Sequence, residues 1–347
     1  MSELRGKQVE KPHNNALLRV QSILAVRYRR ARMAVRTMKV FAYDAGRFIR
    51  HAPVGRTPSN AKQYDAIITH DYHALEKGMA LPEPEPGHGA RYVSSLVEAL
   101  RTSVAKYGWR RPARIGITVL EAHQAIQSDD TKNGEIADFL PSTIAERASE
   151  GGFKEVTRDE VLRVSRTDLT AFFSSRSSVR AFSDTPVALD LIRSSVRQAM
   201  KTPSVCNRQA WRAHLICSKD DIPKVLRFQN GNKGFGHRID KLLVVTADLS
   251  QFLTGNERVQ PWIDGGMFSM SLVYALHSQG LGTCCLNMST SPQADRALRR
   301  VLNINAEESV VMMIAVGHLQ ERYRVTASPR RDLNEVLILH PPTEESM

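Results

Sequence analysis

The sequence predicts a mixed fold that begins with helices and gains strands in its second half. A basic amphipathic helix is predicted over residues 16–51, and a helix that is apolar nearly all round over residues 262–280. Three short apolar runs are typical of strands: 212–218, 241–248 and 309–317. We therefore expect a mainly helical N-terminal region over residues 1–165 and a domain of helices and strands over residues 166–347.

The composition allows a large buried core and gives the chain a strong positive charge. Of the 347 residues, 42% are apolar, and 48 basic against 36 acidic residues give a net charge of +12. Such an excess fits nucleic acid, an anionic membrane surface or a ligand that carries phosphate. Only 6% of the residues are aromatic, and no RNP-like or zinc-finger motif is present, so we expect no nucleic-acid partner.

The cysteines and the N-terminal sequence indicate a cytoplasmic protein. No two cysteines form a C-x-x-C pair and no spacing suggests zinc, so reduced thiols are expected at Cys206, Cys217, Cys284 and Cys285. The first residues lack the apolar core of a signal peptide. No uninterrupted apolar stretch is long enough to predict a transmembrane helix.

The predicted helix over residues 16–51 carries nine Lys or Arg residues and one Asp. Its apolar residues recur at alternating gaps of three and four, which gives one stripe along the helix: Leu17, Val20, Leu24, Tyr28, Ala31, Val35 and Met38. The favoured interpretation is that this stripe packs on the rest of the protein while the basic face meets water. Attachment to an anionic membrane surface is the alternative.

Two histidines and a glutamate follow at spacings of three residues, at His70, His73 and Glu76. On a helix, His70 and His73 share a face, whereas Glu76 is turned away from His70. Because metal ligands usually converge from one side, we expect a polar helix end here and no metal site.

Two helices of the second half have clear sequence signals. One is predicted to begin with Thr185 as the N-cap and Pro186 at the first helical position, with a buried stripe formed by Leu189, Ile192, Val196 and Met200. The other, over residues 262–280, is predicted to be buried because it is apolar nearly all round, and Gly280 is expected to end it.

The stretch SSRSSVRAF, residues 174–182, concentrates groups that bind anions. Arg176 and Arg180 offer fork-shaped cationic donors that suit a phosphate, and Ser177 and Ser178 add hydroxyl donors. The alternative is a polar linker whose arginines face water.

Three later segments could complete a ligand site. In the first, TPSVCNRQAWR, Asn207 and Gln209 carry amides that suit a heterocycle with mixed edges, and Trp211 offers an apolar wall. The second, GLGTCCLNM, has two glycines that allow close approach of the backbone. The third brings Arg330 and Arg331 late in the chain. The alternatives are a turn with a buried tryptophan, a core strand and a solvated basic loop.

In content and order these motifs resemble the FMN-dependent nitroreductase family. Its R-x-S-x-R-x-F motif is matched by Arg176, Ser178, Arg180 and Phe182. Its P-S-x-x-N-x-Q-P-W motif is matched by Pro203, Ser204, Asn207, Gln209 and Trp211. GLGTC and a late R-x-x-L-x-E-V that ends at Val336 complete the resemblance. It covers about residues 166–340 and leaves the N-terminal region unexplained.

The resemblance implies an α+β fold of three layers, with a central, mostly antiparallel sheet flanked by helices. It also implies a homodimer with FMN at the interface. It further implies an FMN-dependent oxidoreductase, in which hydride passes from NAD(P)H to flavin N5 and then to a nitro, quinone or other conjugated acceptor. The alternative is an FMN-binding scaffold that acts with an anionic polymer or membrane surface, without NAD(P)H turnover.

The resemblance also assigns residues by position. Six residues would hold the FMN phosphate and the edge of its ring: Arg176, Ser177, Ser178, Arg180, Arg330 and Arg331. Asn207 would hydrogen-bond the isoalloxazine ring from a loop that includes Pro203, Ser204 and Gln209. The backbone of Cys285, Leu286 and Asn287 would run beside flavin N5.

This sequence departs from the family pattern at three places. Ala210 replaces the proline usual before the tryptophan, and Ser328 replaces a basic residue often found two positions before the late arginine. Asn287 and Met288 stand where acidic or glycine residues are common. The first two departures concern packing and phosphate affinity, and the third concerns the surroundings of flavin N5.

Overall fold

A computed structural model describes most of the chain. The residues described are 13–81, 89–126, 136, 139–140, 144–154, 168–326, 328 and 330–340, with side chains described from residue 23 onward. The predicted domain boundary near residue 165 lies outside these ranges.

The N-terminal region is helical, as predicted. Its helices are α1 (His13–His51), α2 (Ala61–Met79), α3 (Ala90–Tyr107) and α4 (Arg111–Ile126). Asn60 caps α2, because its side chain accepts a hydrogen bond from the backbone N–H of Gln63. The helices α2, α3 and α4 pack into a bundle around a buried apolar cluster that includes Ile68, Leu75, Leu96, Leu100, Ile117 and Leu120.

Four antiparallel strands form the sheet of the C-terminal half. They are β1 (Trp211–Ile216), β2 (Lys241–Asp248), β3 (Leu281–Asn287) and β4 (Glu308–His318), and their order across the sheet is β1-β2-β4-β3. The side chains of β2 alternate between two apolar clusters, because successive residues of a strand point to opposite faces. Leu242 and Val244 enter one cluster, whereas Leu243 and Val245 enter the other.

Helices cover both faces of this sheet. On one face lie α6 (Leu189–Ala199) and α8 (Gln260–Ser278). The other face is covered by α7 (Ile222–Leu226) and α9 (Pro292–Val301). Two short helices, α5 (Leu169–Ser175) and α10 (Leu333–Val336), lie near the ends of the described C-terminal half. The three layers confirm the predicted α+β sandwich and its mainly helical N-terminal region.

The predicted start of α6 is wrong. The helix begins at Leu189, with Ala188 as the N-cap, and not at Thr185 and Pro186. The backbone N–H of Val187 donates to the buried Asp240 carboxylate at 2.8 Å. This tertiary contact holds the proline segment in an extended form.

The prediction that α8 is wholly buried is also wrong. Phe268, Leu272 and Leu276 are buried, but one side of the helix remains accessible, at Trp262, Ile263, Met267 and Met270, of which Ile263 is 47% exposed. The helix is apolar nearly all round, yet the described chain covers only part of it.

The apolar stripe of α1 does not pack on the rest of the described chain, contrary to the favoured interpretation. Tyr28 and Met38 are each 69% exposed, and Leu24 and Val35 are also exposed. The helix is anchored near its C-terminal end, where Phe48 and Ala52 are buried against Ala210, Leu249 and Phe252. Within the described residues, no helix has the length and apolar character needed to cross a membrane.

Candidate functional site

The segment rich in arginine and serine is held against the edge of the sheet. Ser178 forms a parallel bridge with Thr283 of β3, and the N–H of Val179 donates to the Thr283 carbonyl at 2.8 Å. Further along, the N–H of Ser183 donates to the His318 carbonyl at 2.9 Å. These backbone bonds fix the middle of the segment and its C-terminal end.

Two side chains of this segment are buried in the core, and two glycines without a Cβ leave the space that they occupy. Val179 and Phe182 are 3% and 1% exposed. A Cβ added at Gly282 would lie 3.1 Å from the Cβ of Val179, and one added at Gly317 would lie 2.7 Å from the ring of Phe182. The close approach expected for the GLG glycines therefore involves Val179, at Gly282. Gly280 instead ends α8 with a positive φ of 74°.

The guanidinium groups of this segment remain available to a ligand. Across the described residues, neither Arg176 nor Arg180 has a carboxylate within salt-bridge distance. Arg176 is half-buried beside His277, whose pKa is lowered by burial and by this guanidinium. Arg180 is exposed, makes one long hydrogen bond of 3.5 Å to the Ser178 carbonyl, and lies over the Phe235 ring. Two unpaired cations with Ser177 and Ser178 between them suit a bound phosphate.

The loop that carries the predicted amides has an unusual backbone. Cys206, Asn207 and Gln209 have positive φ angles of 47°, 52° and 49°, which cost energy in residues other than glycine. The loop is closed from within by Ser204, whose hydroxyl accepts from the N–H of Gln209 at 3.0 Å. The Gln209 amide also donates to the Asn207 side-chain oxygen at 3.2 Å, so the structure brings these predicted residues together, with Pro203 exposed beside them.

Neighbouring elements of the C-terminal half hold this loop. Arg208 is buried and forms an ion pair with Glu257. Burial opposes ionisation of Glu257, but the hydrogen bond and charge of Arg208, together with the backbone N–H groups of Leu253 and Thr254, outweigh it and lower the pKa of that carboxyl. The N–H of Val205 donates to Asp264 of α8 at 3.2 Å, and burial raises the pKa of Asp264. These contacts keep the loop in its strained form.

The N-terminal bundle supports the loop from the other side. His70 of α2 is hydrogen-bonded to Asp71 and faces Cys206, and these two neighbours raise the pKa of His70 to about 9. Asp71 is fully buried and accepts from Arg56 at 2.6 Å and from Ser95 at 2.7 Å. This polar cluster was not predicted from the sequence. Its signal is an Asp next to a His on the buried face of an amphipathic helix.

Trp211 does not form the apolar wall considered above. It is 6% exposed and stacks on Phe268 at a ring separation of 5.0 Å. The alternative interpretation, a buried tryptophan after a turn, is therefore correct.

The end of β3 lies beside a cavity of about 390 Å³. Its lining begins at Met288, directly after the strand. Within the strand, Cys285 and Asn287 are exposed, and Leu286 is buried between them. The Asn287 carbonyl accepts from Gln229 at 3.1 Å. Residues that follow the strand line the cavity together with residues of α1 and α8, among them Tyr43, Arg47, Trp262, Met288 and Thr290.

Arg330 and Arg331 are bonded to residues of their own segment. Arg330 donates to the Ser328 carbonyl at 2.6 Å, and Arg331 pairs with Glu335 at 3.3 Å. Both are exposed. As far as the chain is described, their hydrogen bonds stay within their own segment.

The two histidines of α2 have separate partners. The Nδ1 atom of His70 lies 2.8 Å from Oδ1 of Asp71, and the Nδ1 atom of His73 lies 3.1 Å from Oε2 of Glu76. Among the described residues there is no group of three or more side chains that could hold a metal ion.

Comparison with known proteins finds a family that the C-terminal half resembles. Residues 173–229 and 219–318 match the model of the nitroreductase family. A 4-nitrobenzoate reductase from Pseudomonas putida is 23% identical over 209 residues, which are 46% of this chain and 89% of that protein.

Similar solved structures carry the same family name. An FMN-dependent nitroreductase from Clostridium difficile is 18% identical, with a TM-score of 0.42, over 50% of this chain and 99% of the other. A nitroreductase family protein from Streptococcus pneumoniae is 17% identical, with a TM-score of 0.42, over 50% of this chain and all of the other.

The family match begins at residue 173, just before the segment that carries Arg176 and Arg180, and ends at residue 318, the last residue of β4. It includes the loop over residues 203–209 and all four strands. Residues 173–318 of this chain are therefore similar to the nitroreductase family over one continuous stretch.

Proposed function

We propose that this protein is an FMN-dependent oxidoreductase that takes hydride from NAD(P)H and passes it to a nitro, quinone or other conjugated small molecule. The observation that carries the proposal is the placement of Arg176 and Arg180. Both lie without a carboxylate partner, among the described residues, on a segment that the sheet fixes at its middle and at its C-terminal end. This is a set of donors that fits a phosphate.

The described residues fit FMN by their chemistry. Arg176 and Arg180 would hold the phosphate and the edge of the ring, with the half-buried Ser177 and Ser178 as further donors. Asn207 would hydrogen-bond the ring from the strained loop.

Other proposed contacts involve the backbone and the late arginines. The backbone of Cys285, Leu286 and Asn287 would lie beside flavin N5, at the edge of the cavity. Arg330 and Arg331 would complete the phosphate site only if their segment folds back toward Arg176, because both are exposed and bonded within that segment.

When bound, FMN would supply the hydride chemistry, and this chain would supply binding and orientation. The guanidinium groups would favour the negative charge of the phosphate and of the ring edge. The loop over residues 203–209 would present its amides in a fixed geometry, since Ser204 closes it from within while Glu257 and His70 hold it from neighbouring elements. No side chain of the chain is required as a nucleophile.

We also propose that the protein is a homodimer. The accessible apolar side of α8, which includes Ile263, Met267 and Met270, is a candidate interface with a second copy. Sedimentation equilibrium of the protein and of the Met267→Glu variant would test this. We expect a dimer that the variant weakens, and a monomeric wild-type protein would contradict it.

An anaerobic reductive titration tests the proposed function. The protein is loaded with FMN, its absorbance spectrum is recorded, and NADH or NADPH is added. We expect the oxidised-flavin bands to bleach with at least one nucleotide and to return when an oxidised quinone or nitroaromatic compound is added. Bound flavin that neither nucleotide bleaches would overturn the oxidoreductase function.

That negative result would favour the second candidate, an FMN-binding scaffold without NAD(P)H turnover. The exposed basic part of α1 is the observation in its favour. Failure to bind FMN at all would contradict both candidates.

A further inference from the structure

The helix α1 consists of a docked part and a free part. Near its C-terminal end, Arg47 donates to the Ser309 hydroxyl at 2.8 Å and to the Glu308 carbonyl at 2.6 Å. Tyr43 donates to Asp295 at 2.6 Å. From residue 23 to residue 39, by contrast, every side chain is exposed. The docked part therefore fixes the direction in which the free part presents its faces.

The apolar stripe of the free part points away from the body of the protein. Nine residues make two and a half turns of an α-helix, so residues nine apart lie on opposite sides. Met38 is nine residues before Arg47, which contacts the body. The rest of the stripe shares the face of Met38, because its members recur at gaps of three and four: Leu24, Tyr28 and Val35, each more than half exposed.

Basic residues surround this stripe. Between residues 23 and 39 the helix has six basic and no acidic side chains, namely Arg27, Arg29, Arg30, Arg32, Arg36 and Lys39. Arg27, Arg32 and Lys39 directly border the stripe, one position from Tyr28, Ala31 and Met38. Within the described chain, none of the six forms an ion pair.

This charge pattern selects the kind of partner. If a second copy covered the stripe, the arginines that border it would face like charges across the seam. An anionic lipid surface instead accepts the apolar side chains at the boundary of the acyl chains and pairs the guanidinium groups with lipid phosphates. Long arginine side chains can reach the headgroups while their stems stay apolar.

We propose that the free part of α1, residues 23–39, binds an anionic lipid surface and lies in its plane. It does not cross the membrane. The inference does not rest on flavin chemistry, because it uses only the exposed stripe and its basic border. The docked part of α1 would hold the C-terminal domain close to the surface.

Vesicle flotation of the full-length protein tests this proposal. Vesicles of phosphatidylcholine alone are compared with vesicles that also contain phosphatidylglycerol, at physiological salt. We expect the protein to float with the anionic vesicles and to remain behind with the zwitterionic ones. A folded protein that does not float with anionic vesicles overturns the proposal, as does equal flotation with both.

A matched pair of variants tests the role of the stripe. Val35→Asp places a charge in the stripe, whereas Val301→Asp makes the same change at an exposed valine near the end of α9. We expect Val35→Asp to lower the fraction that floats at least tenfold and Val301→Asp to leave it unchanged. Equal effects would overturn the proposal, and loss of self-association in Val35→Asp without loss of flotation would assign the stripe to a second copy.

A second pair tests the basic border. Each basic residue near an anionic surface contributes about 1 kcal/mol, so the double change Arg27→Ala, Arg32→Ala should weaken vesicle binding about 30-fold. The control Arg197→Ala, Arg300→Ala removes the same charge from exposed positions elsewhere and should have little effect. An equal loss in both variants would mean that net charge alone drives binding.

Discussion

Arg176 and Arg180 lie on a segment that the sheet holds at its middle and at its C-terminal end, whereas Arg330 and Arg331 lie on a segment bonded largely to itself. In the first segment, Val179 and Phe182 are buried and their backbone bonds reach β3 and β4. In the second, every described residue from 321 to 340 is exposed. Both pairs were expected to hold one phosphate, but only the first is positioned by the described fold.

The difference shows that a binding site depends on the residues between its ligating groups. Arg176 and Arg180 are oriented because Val179 and Phe182 anchor the backbone between and beside them. The loop over residues 203–209 is a second anchored part, since His70 of the N-terminal bundle and Arg208 both hold it. Variants of the residues that hold each part can show how strongly it is anchored.

The largest expected effect concerns His70. Its pKa is raised from 6.5 to about 9, so its contribution to stability is fully present below about pH 6.5 and is lost as the pH rises through 9. At about 1.4 kcal/mol per pH unit, the loss is at most about 3.5 kcal/mol. Urea unfolding at pH 6.5 and pH 9.5 should show a smaller drop for His70→Gln than for the wild type.

The exposed His237 provides the control for that experiment, because His237→Gln changes a histidine far from the bundle. An equal pH dependence in the wild type and in His70→Gln would mean that the bundle does not support the loop through this histidine.

The next effect concerns the glycine under Phe182. An added Cβ at Gly317 would lie 2.7 Å from the Phe182 ring, so Gly317→Ala should displace the segment and destabilise the protein by about 1–3 kcal/mol. FMN affinity should fall with it, because Arg180 lies two residues before Phe182. Chemical unfolding and FMN titration measure the two effects.

Gly46→Ala in α1 is the matched control, since Gly46 is an exposed helical glycine and no atom lies within 4 Å of an added Cβ there. It should leave both quantities unchanged or slightly raise stability. If Gly317→Ala were stable and bound FMN normally, the segment would not depend on its anchor.

The smallest effect is expected at Arg330. Its guanidinium is exposed and bonded to Ser328 of its own segment, so Arg330→Ala should weaken FMN binding by no more than about fivefold, as for exposed ionic contacts. A loss as large as that of Arg176→Ala would show that the late segment closes over the phosphate.

The sequence could predict what local patterns determine. The three strand runs and the helices over residues 16–51 and 262–280 agree with the structure to within a few residues, because uninterrupted apolar runs and helical periodicity are local signals. The start of α6 could not be predicted in this way. It depends on Asp240, which accepts from Val187 across 53 positions of the chain.

For the predicted site, too, only local arrangements could be anticipated from the sequence. Asn207 and Gln209 came together because they share one tight loop. The support of that loop by His70 could not be inferred, since it requires knowing that the N-terminal bundle packs on Cys206. The exposure of the α1 stripe was missed for the same reason. Periodicity shows that a helix has an apolar face, but not what covers that face.

The measurement that tests the central claim most directly is an FMN titration of the wild type, Arg176→Ala and the control Arg197→Ala. Arg197 is exposed on α6, so Arg197→Ala removes the same charge at a position outside the segment. A hydrogen bond to a charged group contributes about 1.5–3 kcal/mol, so Arg176→Ala should weaken FMN binding about 10- to 100-fold and Arg197→Ala should not. If Arg176→Ala bound FMN as tightly as the wild type, the segment over residues 174–182 would not be the phosphate site.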